Sequence, residues 1–127
     1  MQSKEYQATS AITDPSTFFS ELGGLHDARV QQIAWDANAR SVRLEISDLN
    51  ANSLGLPEYP GAEPGTIVFL GAENLTFACD AFANDIQRVY DIEIEELGDG
   101  KLLCTLLVSP SGRFTFGFSS AALRKHR

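Results

Sequence analysis

The stretch GLHDARV, residues 24–30, lies where the periodicity of the sequence changes from helical to alternating. It follows DPSTFFSEL, in which Asp14 is a favourable N-cap and Pro15 suits the first position of a helix. The glycines that come next are good helix terminators, because glycine readily adopts positive φ. The sequence therefore predicts one short N-terminal helix over residues 14–22, with β-strands after it.

Short apolar segments separated by turn signals fill the rest of the chain. RSVRLEIS alternates strictly between apolar and polar residues, and the Gly-Asp-Gly turn at 98–100 is typical of a hairpin. Strands with polar outer faces joined by hairpins favour antiparallel pairing. We expect a mainly β protein, at the margin of α+β, with about seven antiparallel strands over residues 27–118, in a sandwich or a strongly curved sheet.

The length of 127 residues fits a single domain, residues 1–127, with its own core. Residues 1–13 show no clear period and are expected to form a loose leader. Residues 119–127 are expected to form a basic tail with at most one helical turn. The first residues lack the apolar segment of a signal peptide, so the sequence indicates a cytoplasmic protein with reduced thiols. Its two cysteines, Cys79 and Cys104, fall in the inward phase of their strands and are expected in the core.

The acidic balance of the chain limits its partners. The formal net charge is −7 and the pI about 4.7, which argues against nucleic acids and anionic membranes. It is compatible with a basic protein partner.

A run of acids near the middle of the chain is the candidate partner-binding surface. Asp91, Glu93 and Glu95 are predicted to share one face of a strand, and Glu96 follows them. Tyr59, on the proline-rich connection 50–65, would add an aromatic contact. The simpler interpretation is a solvated outer face, and the alternative is a surface that steers a basic protein.

The neighbouring His26 and Asp27 are the candidates for chemistry. On a regular strand their side chains would point to opposite faces, and no metal-binding spacing such as H-E-x-x-H is present. A small metal-dependent or ligand-binding enzyme that uses them with Glu73 is the alternative. The preferred interpretation is structural, with His26 bonded to backbone between helix and sheet. We therefore assign no catalytic residue, metal or cofactor, and an enzyme is the less favoured class.

The stretch DLNANSLGLPEY, residues 48–59, begins like a calcium loop, with oxygen-bearing side chains at alternate positions. It then departs from that pattern, because Ser53 replaces the glycine of the sharp turn and Tyr59 replaces the final bidentate acid. The sequence therefore does not predict calcium binding.

The order of a short helix, LHDARV, a strand with Trp35 and an all-β remainder resembles small bacterial immunity-type proteins of polymorphic toxin systems. It equally resembles related uncharacterised bacterial domains with a Leu-His-Asp-Ala motif. The resemblance implies a stoichiometric protein inhibitor without catalytic residues, and it carries over only to His26, Asp27 and Ala28, in a structural role. Three hypotheses follow: an immunity protein that masks a basic toxin, the small enzyme described above, or a self-associating structural module that forms a homodimer.

Overall fold

The structure, a computed structural model, describes residues 6–80 and 86–126, which form two antiparallel sheets, one α-helix and two short 3-10 helices, Gly23–Leu25 and Ala51–Ser53. The helix α1 spans Pro15–Glu21. The strands are β1 Tyr6–Ile12, β2 Val30–Asp36, β3 Ser41–Ile46, β4 Gly65–Leu70, β5 Glu73–Cys79, β6 Arg88–Gly98, β7 Lys101–Ser109, β8 Gly112–Phe118 and β9 Ser120–His126. One sheet has the order β1-β9-β4-β3-β2, and the other has the order β5-β8-β7-β6.

The mainly β, antiparallel class predicted from the sequence is confirmed, with nine strands in the described residues instead of about seven. The two additional strands are β1 and β9, which pair with each other and correct the expectations of a loose leader and a basic tail. β9 also pairs with β4, and its Ala121 and Leu123 are buried. Residues 1–5 and 127, the remainder of those two predicted segments, lie outside the described residues.

The predicted helix is confirmed together with its cap. The Thr17 amide donates to the Asp14 carboxylate at 3.2 Å, and Pro15 occupies the first turn, where a missing N–H costs nothing. The helix buries Phe19 against Phe69, with ring centroids 6.1 Å apart. It thereby joins the aromatic core that the two sheets enclose.

That core contains aromatic rings from both sheets. Phe69 of β4 lies edge-on to Phe116 and Phe118 of β8, with centroids 5.0 Å apart in each pair. Such edge-to-face pairs add about 0.5–1.5 kcal/mol each beyond the burial of their area. The two sheets therefore pack face to face through these rings.

The two cysteines differ, which corrects one expectation. Cys104 is buried, as predicted, whereas Cys79 is exposed. Cys79 ends the edge strand β5 and lies opposite Gly112, which has no side chain to cover it, and its thiol donates to Ser111 O at 3.1 Å. Cys79 is therefore exposed although the alternation of the sequence places it among the inward-facing residues of its strand.

We expect one thiol in the native protein to react with a disulfide reagent such as dithionitrobenzoate. Cys79 is accessible, whereas burial raises the pKa of the Cys104 thiol and makes its reactive thiolate scarce. The measurement is the absorbance of the thionitrobenzoate released before and after denaturant is added. The variant Cys79→Ser is the control and should show no native reaction; two reactive thiols in the folded protein would contradict the assignment.

Candidate functional site

The GLHDARV stretch connects the two sheets through backbone hydrogen bonds. The Asp27 amide donates to Val89 O of β6 at 2.9 Å, and the Val89 amide donates back to Ala28 O at 2.8 Å. The chain then continues into β2, where Val30 pairs with Ile46 of β3. The motif is therefore an irregular connection that bonds to the edge of one sheet and then enters β2 of the other.

The imidazole of His26 forms a hydrogen bond to a backbone carbonyl on β6. Its Nδ1 lies 2.8 Å from Tyr90 O, which sits at the irregularity of β6 between Val89 and Asp91. Because a carbonyl only accepts, Nδ1 must carry the hydrogen, and in the neutral ring Nε2 is then an acceptor. The carboxylate of Asp27, 3.7 Å from Nε2, cannot receive a hydrogen bond from that neutral ring. These contacts agree with the structural role preferred from the sequence.

The backbone before His26 is tightly constrained. Leu25 is fully buried although its φ is 56°, and Gly24 has a φ of 67°. A side chain at Gly24 would collide with the Asp91 carboxylate. That carboxylate in turn accepts from the Ile92 amide at 2.9 Å, so the half-buried Asp91 belongs to this junction and is not a freely exposed acid.

The alternative site does not assemble around His26. Glu73, at the start of β5, lies 3.1 Å from Lys101 Nζ and 3.9 Å from Arg40 Nη2. Within the described residues, no group of three or more His, Cys, Asp or Glu side chains is placed to hold a metal ion. The structure thus gives Glu73 basic partners of its own.

Tyr59 holds the long connection between β3 and β4 in place. Its hydroxyl donates to the Asp48 carboxylate at 2.6 Å, and the same carboxylate accepts from the amides of Asn50 and Glu63 at 2.9 and 3.0 Å. The bond to Asp48 raises the pKa of Tyr59. The first acid of the calcium-like stretch is therefore occupied by donors from its own loop, and Tyr59 is half-buried.

The remaining predicted acids form an exposed group on β6, the last strand of the four-stranded sheet. Glu93 and Glu95 pair with Thr105 and Leu103 and share the outer face of the sheet, as predicted. Glu96 is also exposed, and its register places it on the opposite face. We call these three glutamates the acidic edge.

A groove runs between α1 and β6 beside the acidic edge. It consists of two adjoining depressions of about 600 and 390 Å³, and Ser16 of α1 and Ile94 of β6 line both. We call it the α1–β6 groove. Sequence reasoning missed it because the groove depends on which strand lies at the edge of the sheet, and no local pattern in the sequence reports strand order.

Comparison with known proteins adds information on the fold. No protein-family model and no curated protein matches the chain. The crystal structure of an uncharacterized protein from Neisseria gonorrhoeae is similar, with a TM-score of 0.50 and 11% sequence identity. The match covers 77% of this chain and 90% of that one. At this identity the similarity shows the shared fold alone.

No helix in the described residues is both long and apolar enough to span a lipid bilayer.

We expect His26→Ala to lower the free energy of unfolding by about 0.5–1.5 kcal/mol, because Tyr90 O loses an intramolecular donor. Urea denaturation measures the change. Asn38→Ala, in the exposed turn between β2 and β3, is the control and should stay within about 0.5 kcal/mol of the parent. An unchanged stability in His26→Ala would contradict the structural role.

We expect the Tyr59 phenol to ionise above its ordinary pKa, and Asp48→Asn to bring that pKa back toward it. Because the folded pKa exceeds the unfolded one, the contact stabilises the fold below the unfolded pKa, near 10. That contribution is lost as pH rises through the folded pKa. Phenolate absorbance can be followed in a chain whose Tyr6 and Tyr90 are changed to Phe. If that chain and its Asp48→Asn variant gave the same titration curve, the coupling would be refuted.

Proposed function

We propose that this chain is a non-enzymatic protein-binding module whose acidic edge meets a basic protein, in the manner of an immunity protein that neutralises a toxin. The observation that carries the proposal is the exposure of Glu93, Glu95 and Glu96 and the lack of a basic side chain paired with them in the described residues.

The electrostatics of the acidic edge favour a cationic partner. Thr105 and Leu103, the cross-strand neighbours of Glu93 and Glu95, supply no positive charge. Like charges on one face repel modestly in water, and Lys or Arg side chains of a partner would replace that repulsion by attraction. The net charge of −7 adds a long-range field of the same sign, which speeds encounter with a basic protein at low salt.

The other candidate residues support a binding role over catalysis. His26 is engaged with Tyr90 O, Asp91 with the Ile92 amide, and Tyr59 with Asp48. These side chains stabilise the scaffold that presents the acidic edge. The cysteines are both free, and the exposed thiol of Cys79 persists best in a reducing compartment, so we propose that the protein acts in the cytoplasm.

We expect the double reversal Glu93→Lys with Glu95→Lys to slow association with the partner by about ten-fold or more at low salt, and to flatten its salt dependence. The partner is recovered on immobilised protein from a source-cell extract, identified and purified, and its association rate is then measured by stopped flow.

The control variant is Glu21→Lys with Glu58→Lys, which makes the same change in net charge at exposed positions outside β6. Its association rate should fall much less. Equal slowing in the two double variants would mean that net charge alone sets the association rate. An unchanged rate in the β6 variant would refute the acidic edge as the binding surface.

A further inference from the structure

We propose that residues 93–98 of β6 accept an extended strand of the partner, which lies in the α1–β6 groove and alternates basic with apolar side chains. This inference rests on the proposed function and supplies its binding mode. Addition of a strand to an open sheet edge is a recurring form of peptide recognition, in which backbone bonds give affinity and alternate side chains give specificity.

The edge of β6 is open where the strand would bind. The start of β6 is covered by residues 27–28, which exchange hydrogen bonds with Val89, and by His26, which reaches Tyr90 O. Beyond that point, within the described residues, no strand pairs with β6 on this side. The Ile92 amide is also engaged, by the Asp91 carboxylate beside Gly24, so the free segment begins after Ile92.

The direction of the free backbone groups follows from Ile92. Its amide bonds to the Asp91 carboxylate and faces Gly24, so it points away from β7. Because backbone direction alternates along a strand, the N–H and C=O groups of Ile94 and Glu96 point to the same open side. They are available for a ladder with an incoming strand.

The groove has the dimensions of an extended peptide. From Glu93 to Gly98 the edge is about 17 Å long at the usual rise of about 3.3 Å per residue. Ser16 forms part of the opposite wall, on α1, along both depressions. The cleft is therefore long enough for about five or six residues of extended chain.

The charges along the groove select a basic occupant. Carboxylates from the N-cap of α1, from β6 and from the hairpin turn line it: Asp14, Asp91, Glu93, Glu96 and Asp99. Its one amine within the described lining, Lys101, is already paired with Glu73 at 3.1 Å. The excess negative charge is therefore not neutralised by the groove itself.

The pleat of β6 gives the expected side-chain pattern. A strand added at this edge would place every second side chain beside Glu93 and Glu95 on the outer face, where Lys or Arg forms favourable cross-strand pairs. The intervening side chains would lie against Ile94 and Leu102 inside the groove, where apolar residues fit.

A second copy of this chain is the less suitable occupant. Antiparallel pairing of β6 with its own copy would bring glutamates of the two strands together, and like charges directly opposite are destabilising. Charged edge residues are a common protection against such self-pairing. The acidic edge thus disfavours a homodimer through β6 while attracting a basic strand.

The test uses a fluorescent peptide of about seven residues that alternates lysine and valine, titrated into the full chain at low salt with anisotropy as the readout. Two further peptides carry N-methyl groups on either the valine or the lysine amides. Only one alternate set of amides can face β6, so we expect their affinities to differ by about ten-fold or more. Equal affinities of the two methylated peptides, or no binding of the parent peptide at millimolar concentration, would overturn strand addition.

On the protein side, Ser16→Trp fills the groove from α1 without changing the charge. It should lower the affinity for the parent peptide by about ten-fold. Asn38→Trp, in the exposed β2–β3 turn, is the matched control and should bind normally. Equal binding by the two tryptophan variants would overturn the placement in the groove. Loss of binding in the Glu93→Lys, Glu95→Lys variant combined with equal affinities of the methylated peptides would retain the proposed function and reject only strand addition.

Discussion

The pair of hydrogen bonds between residues 27–28 and Val89 is the constraint on which the arrangement of this molecule depends. It attaches the edge of the four-stranded sheet to the chain that enters the five-stranded sheet. The same attachment brings His26 to Tyr90 O. It also ends near the start of β6, so one junction both closes the sandwich and leaves the part of the strand that we assign to partner binding.

Local signals predicted the parts of the fold that local interactions determine. The cap at Asp14 and the proline after it defined α1, and strict alternation defined β3. The strands β1 and β9 escaped prediction because their alanine- and serine-containing segments show little periodicity alone. They become strands by pairing with each other across the length of the chain and, for β9, with β4.

In the candidate site, too, local features could be predicted from the sequence and contacts between distant residues could not. The shared face of Glu93 and Glu95 follows from the two-residue period of a strand, and the sequence was sufficient for it. The separate role of Asp91 was not predictable, because it depends on a strand irregularity and on contact with Gly24. Likewise the partner of His26 lies 64 residues away, and that of Tyr59 lies 11 residues away inside an irregular loop.

The pairing of β1 with β9 has a mechanical consequence. Tyr6 lies opposite His126 at one end of the ladder, and Ile12 lies opposite Ala121 at the other. A force applied between Tyr6 and His126 would load the bonds one at a time, since ladder bonds in an antiparallel pair run perpendicular to the strands. Under tension applied there, β1 and β9 would therefore separate one residue pair after another from that end.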